Sequence, residues 1–204
     1  MVYCTDCLYN LAVTARTHDI AALTALGVVV ILEPLRVMTL STALTAILAN
    51  QIGGIAPDID QPTAPLWRNL PAGKFFGKTF DKTMGGHRFL THSLIGVALF
   101  GFLVHLLLVF VQPLIPQINT GLVWWAFIIG MLSHLVMDSL TKEGVPWLLP
   151  WPIRFGFPPV KAWRVTTGGS IETWLIFPGL ILLDVWLVVS HYSHLLVLVH
   201  NYIH

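Results

Sequence analysis

Five long apolar stretches alternate with polar or proline-rich segments along the chain. A helix of about 20 apolar residues crosses the hydrocarbon core of a membrane and satisfies its own backbone hydrogen bonds there. The first stretch is shorter than this, so it needs its flanks or a thinned bilayer to complete a span. The pattern predicts one all-α domain over residues 1–204, a polytopic membrane protein with about five transmembrane helices. The stretches cover residues 20–32, 37–56, 89–111, 122–140 and 174–199.

Three segments flank or connect these stretches on one side if the spans alternate. Residues 1–17 are mixed in character and are expected to form a short interfacial segment. Residues 57–88 are a polar loop, and residues 142–173 contain five prolines and three tryptophans. Prolines at this density prevent a regular helix, and tryptophan prefers the membrane boundary. Residues 142–173 are therefore expected to form an irregular interfacial loop that covers a site on this face.

Composition supports the membrane assignment. Of the 204 residues, 55% are hydrophobic and only 10% are charged, whereas roughly a quarter of an ordinary soluble domain is charged. The formal net charge of +1 argues against nucleic acid as a partner, since that requires a strongly basic patch. Cys4 and Cys7 are the only cysteines, too few for a structural zinc site, and we interpret them as an incidental tail.

The distribution of cations predicts the orientation in the membrane. With alternating spans, residues 1–17, 57–88 and 142–173 share one face, which carries every lysine and arginine except Arg36. Because cytoplasmic loops are enriched in lysine and arginine, this face is expected to be cytoplasmic, in the inner membrane.

Ionisable residues collect at the same face, at the ends of all five predicted spans. Carboxylates and histidines near membrane depth are costly and normally mark function. His134 and Asp138 are four apart, so they share one side of a helix. The candidates are His18, Asp58, Asp60, His87, Arg88, His92, His134, Asp138 and Glu172.

The remaining spacings leave alternatives open. Asp58 and Asp60 point the same way if their segment is extended, whereas a Pro-Asp turn is the structural alternative. His87 and His92 are too far apart to share a helical face, and the preceding Gly-Gly pair suggests a closely approached loop. His92 is expected on the first turn of the next helix, with Thr91 as its cap. The alternative for this stretch is a polar, interfacial helix entry.

The combined set of side chains predicts a metal centre. Histidine nitrogens and carboxylates without thiolates suit zinc first, then manganese or iron. Eight histidine and acidic candidates exceed what one four-coordinate zinc needs, which favours two divalent ions that activate water for phosphoester hydrolysis. We predict His18, Asp58, His87, His92, His134 and Asp138 as metal ligands. Arg88 is predicted to hold phosphate. Asp60 and Glu172 are predicted to act as further ligands, as groups that hydrogen-bond the ligands, or as a general base.

Three motifs stand out in the polar segments and helix ends: Pro57-Asp58-Ile59-Asp60-x-Pro62, Gly86-His87-Arg88-x-x-Thr91-His92-Ser93 and Ser133-His134-x-x-x-Asp138-x-Leu140-Thr141. Together they resemble a known family, the bacterial and archaeal LexA-binding, inner-membrane-associated hydrolases. The resemblance covers residues 15–176 and implies a membrane-embedded fold that requires metal. A weaker likeness to the zinc-dependent phospholipase C and single-strand nuclease group implies cleavage of phosphodiesters or lipid headgroups.

The function expected from these features is hydrolysis of a phosphoester in a lipid or lipid-linked substrate. One alternative is a non-enzymatic adaptor whose polar cluster binds a regulatory protein, such as the repressor in the family's name. A divalent-cation transporter using His105 and Asp184 is a third possibility. It is disfavoured because transporter sites lie near the midplane.

Overall fold

The computed structural model of the chain describes residues 5–33, 38–61, 67, 73, 75, 77–79, 88–151, 153–193 and 195, with side chains from residue 15 onward. Of the features singled out above, Cys4, Arg36, His87 and the end of the last apolar stretch lie outside these residues. The described part of the chain contains two isolated β-bridges and no β-strand. Five α-helices of 14 residues or more lie within the described residues: α1 (Thr5–Leu32), α2 (Leu40–Ile55), α3 (Leu94–Val111), α4 (Thr120–Ser139) and α5 (Phe177–Ser190).

Four segments within the described residues are long and apolar enough to cross a membrane. These segments confirm the all-α, polytopic fold. The second predicted span corresponds to α2, which has 16 residues and is about 24 Å long at the usual rise per residue. This is shorter than a hydrocarbon core of about 30 Å. The four spans are Ala15–Leu32, Leu94–Leu114, Thr120–Ser139 and Glu172–Ser190.

The prediction for residues 1–17 was wrong in one respect. The interfacial segment is not separate, because α1 begins at Thr5 and runs without interruption to Leu32. No proline or glycine occurs before Gly27, so nothing in the sequence breaks the helix ahead of the first apolar stretch. Residues 142–173 do form an irregular segment, as predicted, with one short 3-10 turn at Lys161–Trp163.

The helix pair α2 and α4 forms the centre of the bundle through glycines. A Cβ atom on Gly53 would overlap the carbonyl oxygen of Phe127, and one on Gly130 would overlap that of Asn50. Small residues of this kind let two backbones approach closely inside a membrane. The buried Asn50 then donates a hydrogen bond of 3.1 Å from Nδ2 to the carbonyl oxygen of Ala126.

An apolar cluster next to this crossing fixes the position of α3 and of the loop that follows α4. Trp124 donates from Nε1 to the carbonyl oxygen of Gly101 at 2.7 Å, which ties α4 to α3. The site-bearing ends of α3 and α4 are thereby held beside the end of α2. The cluster consists of Val97, Phe127, Ile128, Met131, Leu135 and Val145.

Candidate metal centre

The last two turns of α4 carry two buried side chains that face the middle of α1 and the end of α2. His134 and Asp138 are each 1% exposed. The carbonyl oxygen of Gly54 lies 2.6 Å from Nδ1 of His134, and because a carbonyl only accepts, Nδ1 carries the proton. Nε2 of His134 therefore presents its lone pair to the centre of the cluster, which is the tautomer that a metal ligand needs.

The chain after α2 continues into a short 3-10 helix, Ala56–Asp60, that places two carboxylates on different sides of His92. Oδ1 of Asp58 lies 3.8 Å from Nε2 of His92, whereas Oδ2 of Asp60 lies 3.7 Å from Nδ1. The extended segment was therefore the wrong alternative and the turn the right one. Pro57 at the start of the 3-10 helix favours this helical path.

His92 lies just before α3 rather than on its first turn. The cap is Ser93, whose Oγ accepts from the backbone N–H of Gly96 at 3.1 Å, so the prediction of Thr91 as the cap was wrong. The hydroxyl of Thr91 instead donates to Asp60 and accepts from Nδ1 of His92 at 2.9 Å. These two hydrogen bonds require a proton on Nδ1 of His92. They also orient the ring so that Nε2 faces Asp58 and Asp138.

Potential ligand atoms converge from four segments of the chain. Oδ2 of Asp138 lies 3.3 Å from Nε2 of His92 and 3.7 Å from Nε2 of His134. Oδ1 of Asp58 also lies 3.7 Å from Nε2 of His134. Two groups of ligand atoms are mutually within 4.8 Å: Asp58, His92 and His134, and His18, His134 and Asp138.

The spacing of these atoms fits a metal ion. Nitrogen and oxygen ligands about 2.0–2.2 Å from a tetrahedral zinc ion are roughly 3.3–3.6 Å from one another. The separations given above match this range or exceed it slightly. Among the described residues, Nε2 of His134, Oδ2 of Asp138 and Nδ1 of His18 are also buried without a hydrogen-bond partner, and buried polar atoms are normally paired. The donor set and geometry therefore suit a divalent cation.

His18 joins the cluster from α1. Its ring stacks on that of His134 with centroids 4.0 Å apart and planes at 16°. Its Nε2 lies 3.5 Å from Oδ1 of Asp138. The stacking places His18 at the edge of the cluster.

The electrostatics around His92 favour positive charge. Burial by itself lowers the pKa of His92, but the carboxylates of Asp138, Asp60 and Asp58 raise it to about 9. A divalent cation competes with a proton for the same nitrogen, and the same carboxylates would attract it.

Arg88 forms one wall of the centre. Its backbone adopts a left-handed conformation with φ of 58°, and its N–H donates to Asp60 at 3.1 Å. Its guanidinium pairs with Oδ1 of Asp138 at 2.9 Å and with Glu143 at 3.1 Å. The arginine thus holds Oδ1 of Asp138, the oxygen other than the one nearest His92, and it also pairs with the exposed carboxylate of Glu143.

Glu172 lies next to the cluster but outside both ligand groups. Its Oε2 accepts from the backbone N–H of Gly168 at 2.7 Å, which braces the turn before α5. Glu172 and His18 together line a cavity of about 20 Å³. Of the predicted site residues, the structure brings His18, Asp58, Asp60, Arg88, His92, His134 and Asp138 together, places Glu172 beside them, and does not describe His87.

Two contributors to the centre were not predicted from the sequence. The Gly54 carbonyl that orients His134 is a backbone group, so no side-chain pattern marks it. Thr141, which accepts from Nη1 of Arg88 at 3.1 Å, lies three residues after Asp138. Its position in the Asp138-x-Leu140-Thr141 motif was the available signal.

Replacing Asp60 with asparagine should weaken metal binding without removing a ligand. The amide preserves shape but accepts more weakly from Thr91, so Nδ1 of His92 is held less firmly. Changes in a residue that orients a metal ligand typically reduce metal affinity by about 10–100-fold. Competition with a metal chelator would measure the loss, and an unchanged affinity would show that Asp60 does not orient His92.

A sequence model of the YdjM inner membrane protein family matches residues 13–199. Among related proteins, YvsG of Bacillus subtilis is 29% identical over 135 residues, which cover 66% of this chain and 72% of YvsG. The Escherichia coli inner membrane protein YbcI is 37% identical over 94 residues, 44% of this chain and 49% of YbcI.

The Escherichia coli inner membrane protein YdjM is 34% identical over 110 residues, which cover 50% of this chain and 47% of YdjM. The matches to YbcI and YdjM thus span about half of each relative. No solved structure matches the chain significantly.

Proposed function

The chain belongs to the YdjM inner membrane protein family, and we propose that it is a metal-dependent hydrolase acting on a phosphoester of a lipid or lipid-linked substrate. The observation that supports this proposal is the convergence of two histidines and two aspartates. The Nε2 atoms of His92 and His134 each lie 3.3–3.8 Å from a carboxylate oxygen of Asp58 and of Asp138. Their hydrogen bonds turn both imidazole Nε2 atoms inward. An arrangement this well oriented and this costly to bury is typical of a functional site.

The proposed ligands of the principal ion are His92, His134, Asp58 and Asp138, with His18 at the edge. His134 belongs to both ligand groups. Because its Nδ1 is held by the Gly54 carbonyl, only Nε2 can bind an ion, so one principal ion is favoured. The second ion predicted from the sequence would need further ligands. Zinc suits the nitrogen and oxygen donors best, and manganese or iron are the alternatives.

A bound divalent ion supplies a water of lowered pKa and polarises a phosphoryl oxygen. The protein's own residues hold the geometry around it. Asp60 and Thr91 fix the ring of His92, the Gly54 carbonyl fixes His134, and Arg88 fixes Asp138. Because Asp58 has a side chain that is 31% exposed, the centre opens to the surroundings on its side.

Arg88 is the proposed contact for the substrate phosphate. One nitrogen of its guanidinium is already committed to Asp138, whereas the other faces Glu143, whose side chain is 59% exposed. An incoming phosphate can displace this exposed carboxylate and form the charge-assisted hydrogen bonds that arginine makes with phosphate. Arg88 would then connect substrate recognition to the position of Asp138.

The position of the centre supports a lipid substrate. His18, Asp138 and Glu172 lie near the ends of candidate spans, and lipid headgroups flank the hydrocarbon core that such spans cross. We place this face on the cytoplasmic side, because it carries the exposed cations Arg16 and Lys142.

Metal content and hydrolysis test the proposal together. We expect the detergent-purified protein to retain about one equivalent of a divalent ion per chain. We also expect cleavage of at least one class in a panel of lipid phosphates and phospholipids. A chelator should abolish turnover, and adding back zinc or manganese should restore it. Asp58→Asn, which replaces a charged ligand by a neutral one, should reduce both metal content and turnover.

The result also decides between the one-ion and two-ion arrangements. Two tightly held equivalents would favour the two-ion prediction. Protein that binds neither zinc nor manganese after incubation would contradict the hydrolase proposal and leave the regulatory-protein adaptor as the better explanation.

A further inference from the structure

The segment between α4 and α5 exposes an unusual set of large apolar side chains. Trp151 is 66% exposed, Phe157 65% and Trp163 75%, and Ile153 is 60% exposed. A soluble protein rarely leaves so many large apolar side chains exposed together. Since the segment joins two spans that end at Ser139 and begin at Glu172, it lies at the membrane boundary, where tryptophan is favoured.

This segment, residues 147–163, is held rigidly against the rest of the protein. Val145 and Phe155 exchange two backbone hydrogen bonds of 2.8 and 2.9 Å. Trp147 donates to Oγ of Ser139 at 2.9 Å, and its carbonyl oxygen accepts from the N–H of Leu94 at 3.1 Å. Its exposed side chains therefore project from a fixed base next to the metal centre.

Arg164 braces the same segment from inside. Its Nε donates to the carbonyl oxygen of Pro158 at 2.8 Å, and Nη2 donates to that of Pro159 at 3.2 Å. Its guanidinium packs against Gly156, where a Cβ would overlap it. Arg164 is thus engaged within the loop, and the cations available to an outside partner are Arg154 and Lys161.

The charge on this segment has one sign. Between Glu143 and Glu172 the sequence contains no aspartate or glutamate, whereas Arg154 and Lys161 are both exposed. Each is flanked by exposed apolar side chains, Ile153 and Phe155 around Arg154, and Val160 and Trp163 near Lys161. Aromatic side chains that enter the headgroup layer beside cations are suited to an anionic membrane surface.

We propose that residues 147–163 bind anionic phospholipid headgroups and thereby gather anionic lipids beside the metal centre. The binding itself depends only on the exposed side chains and their charge. Delivery of an anionic lipid as the substrate rests on the proposed hydrolase function.

The test uses full-length protein in nanodiscs containing equal amounts of phosphatidylcholine and phosphatidylglycerol. Native mass spectrometry then counts the lipids that stay bound after release. We expect the wild type to retain phosphatidylglycerol preferentially. Each cation near an anionic surface strengthens binding roughly fivefold, so the double variant Arg154→Gln/Lys161→Gln, which removes two, should retain about 25-fold less. Lys78→Gln removes an exposed cation outside the segment and should leave retention unchanged.

A second measurement reports on the aromatic side chains. Lipids that carry a quencher at the headgroup should quench part of the tryptophan fluorescence. The variant Trp151→Phe/Trp163→Phe should lose much of the quenched fraction while keeping its fold. Equal retention of the two lipids by the wild type, an equal loss in Lys78→Gln, or no change in quenching would overturn the proposal. A protein that co-purifies and shields the two tryptophans from the quencher would overturn it too, in favour of a protein partner.

Hydrolysis of a soluble substrate tests the hydrolase proposal independently of the lipid-binding proposal. Hydrolysis of bis(4-nitrophenyl) phosphate requires the metal centre but no membrane docking, so Arg154→Gln/Lys161→Gln should leave it unchanged. If the wild type cleaves neither this compound nor any lipid, the hydrolase proposal fails, and lipid retention still decides the binding proposal.

Discussion

Replacing His134 with asparagine is expected to abolish tight metal binding and the hydrolysis that depends on it. The asparagine amide can still donate to the carbonyl oxygen of Gly54 from about the position of Nδ1, but it removes Nε2. His134 belongs to both groups of potential ligands, so neither group remains complete without it. Changing a residue that only orients a metal ligand already reduces metal affinity by about 10–100-fold. Loss of this shared ligand should therefore reduce metal affinity by at least about 100-fold.

The measurement is metal content by mass spectrometry after dialysis, together with thermal unfolding with and without added zinc. An ion at about 100 times its dissociation constant stabilises a protein by roughly 2.7 kcal/mol, so zinc should raise the melting temperature of the wild type but not of His134→Asn. His105→Asn is the matched control, because His105 is an exposed histidine of α3 far along the helix from the centre. Full metal content in His134→Asn would refute the assigned centre.

Much of the convergence of the candidate residues could be predicted from the sequence, because they lie near the ends of apolar stretches. Alternating spans bring the start of the first span, Ala15–Leu32, to the same face as the end of α2, the start of α3 and the end of α4. Simple alternation therefore places His18, Asp58, His92 and His134 on the same side of the membrane. The four-residue spacing of His134 and Asp138 likewise survives in the structure, since it depends only on helical periodicity.

The predictions that were wrong concern hydrogen bonds for which several neighbouring groups compete. Thr91 and Ser93 are both good caps, and the sequence does not reveal that Asp60, distant along the chain, takes the hydroxyl of Thr91. The backbone contribution of Gly54 requires knowledge of how closely α2 and α4 cross.

The second large effect is expected for Gly130→Ala, which should lower both the stability of the protein and its metal affinity by disturbing the crossing of α2 and α4. A Cβ atom at Gly130 would overlap the carbonyl oxygen of Asn50 and lie 2.8 Å from the N atom of Gly54. These are backbone atoms, so no side-chain rotation relieves the overlap and α2 must move away from α4. Overpacking costs typically 1–3 kcal/mol, occasionally more, and the upper end, about 3 kcal/mol, is expected here.

For a chain of this size, about 3 kcal/mol corresponds to a fall in melting temperature of roughly 6–12 °C. Moving α2 also shifts the Gly54 carbonyl away from His134, so metal affinity should fall although no ligand is changed. Gly179→Ala is the control, since a Cβ at Gly179 meets nothing within 4 Å. It should leave metal affinity unchanged and should not lower the melting temperature, because alanine is the better helix former. If Gly130→Ala melted and bound metal like Gly179→Ala, the close contact between α2 and α4 would not be what orients His134, and the preorganisation attributed to Gly54 would have to come from elsewhere in the bundle.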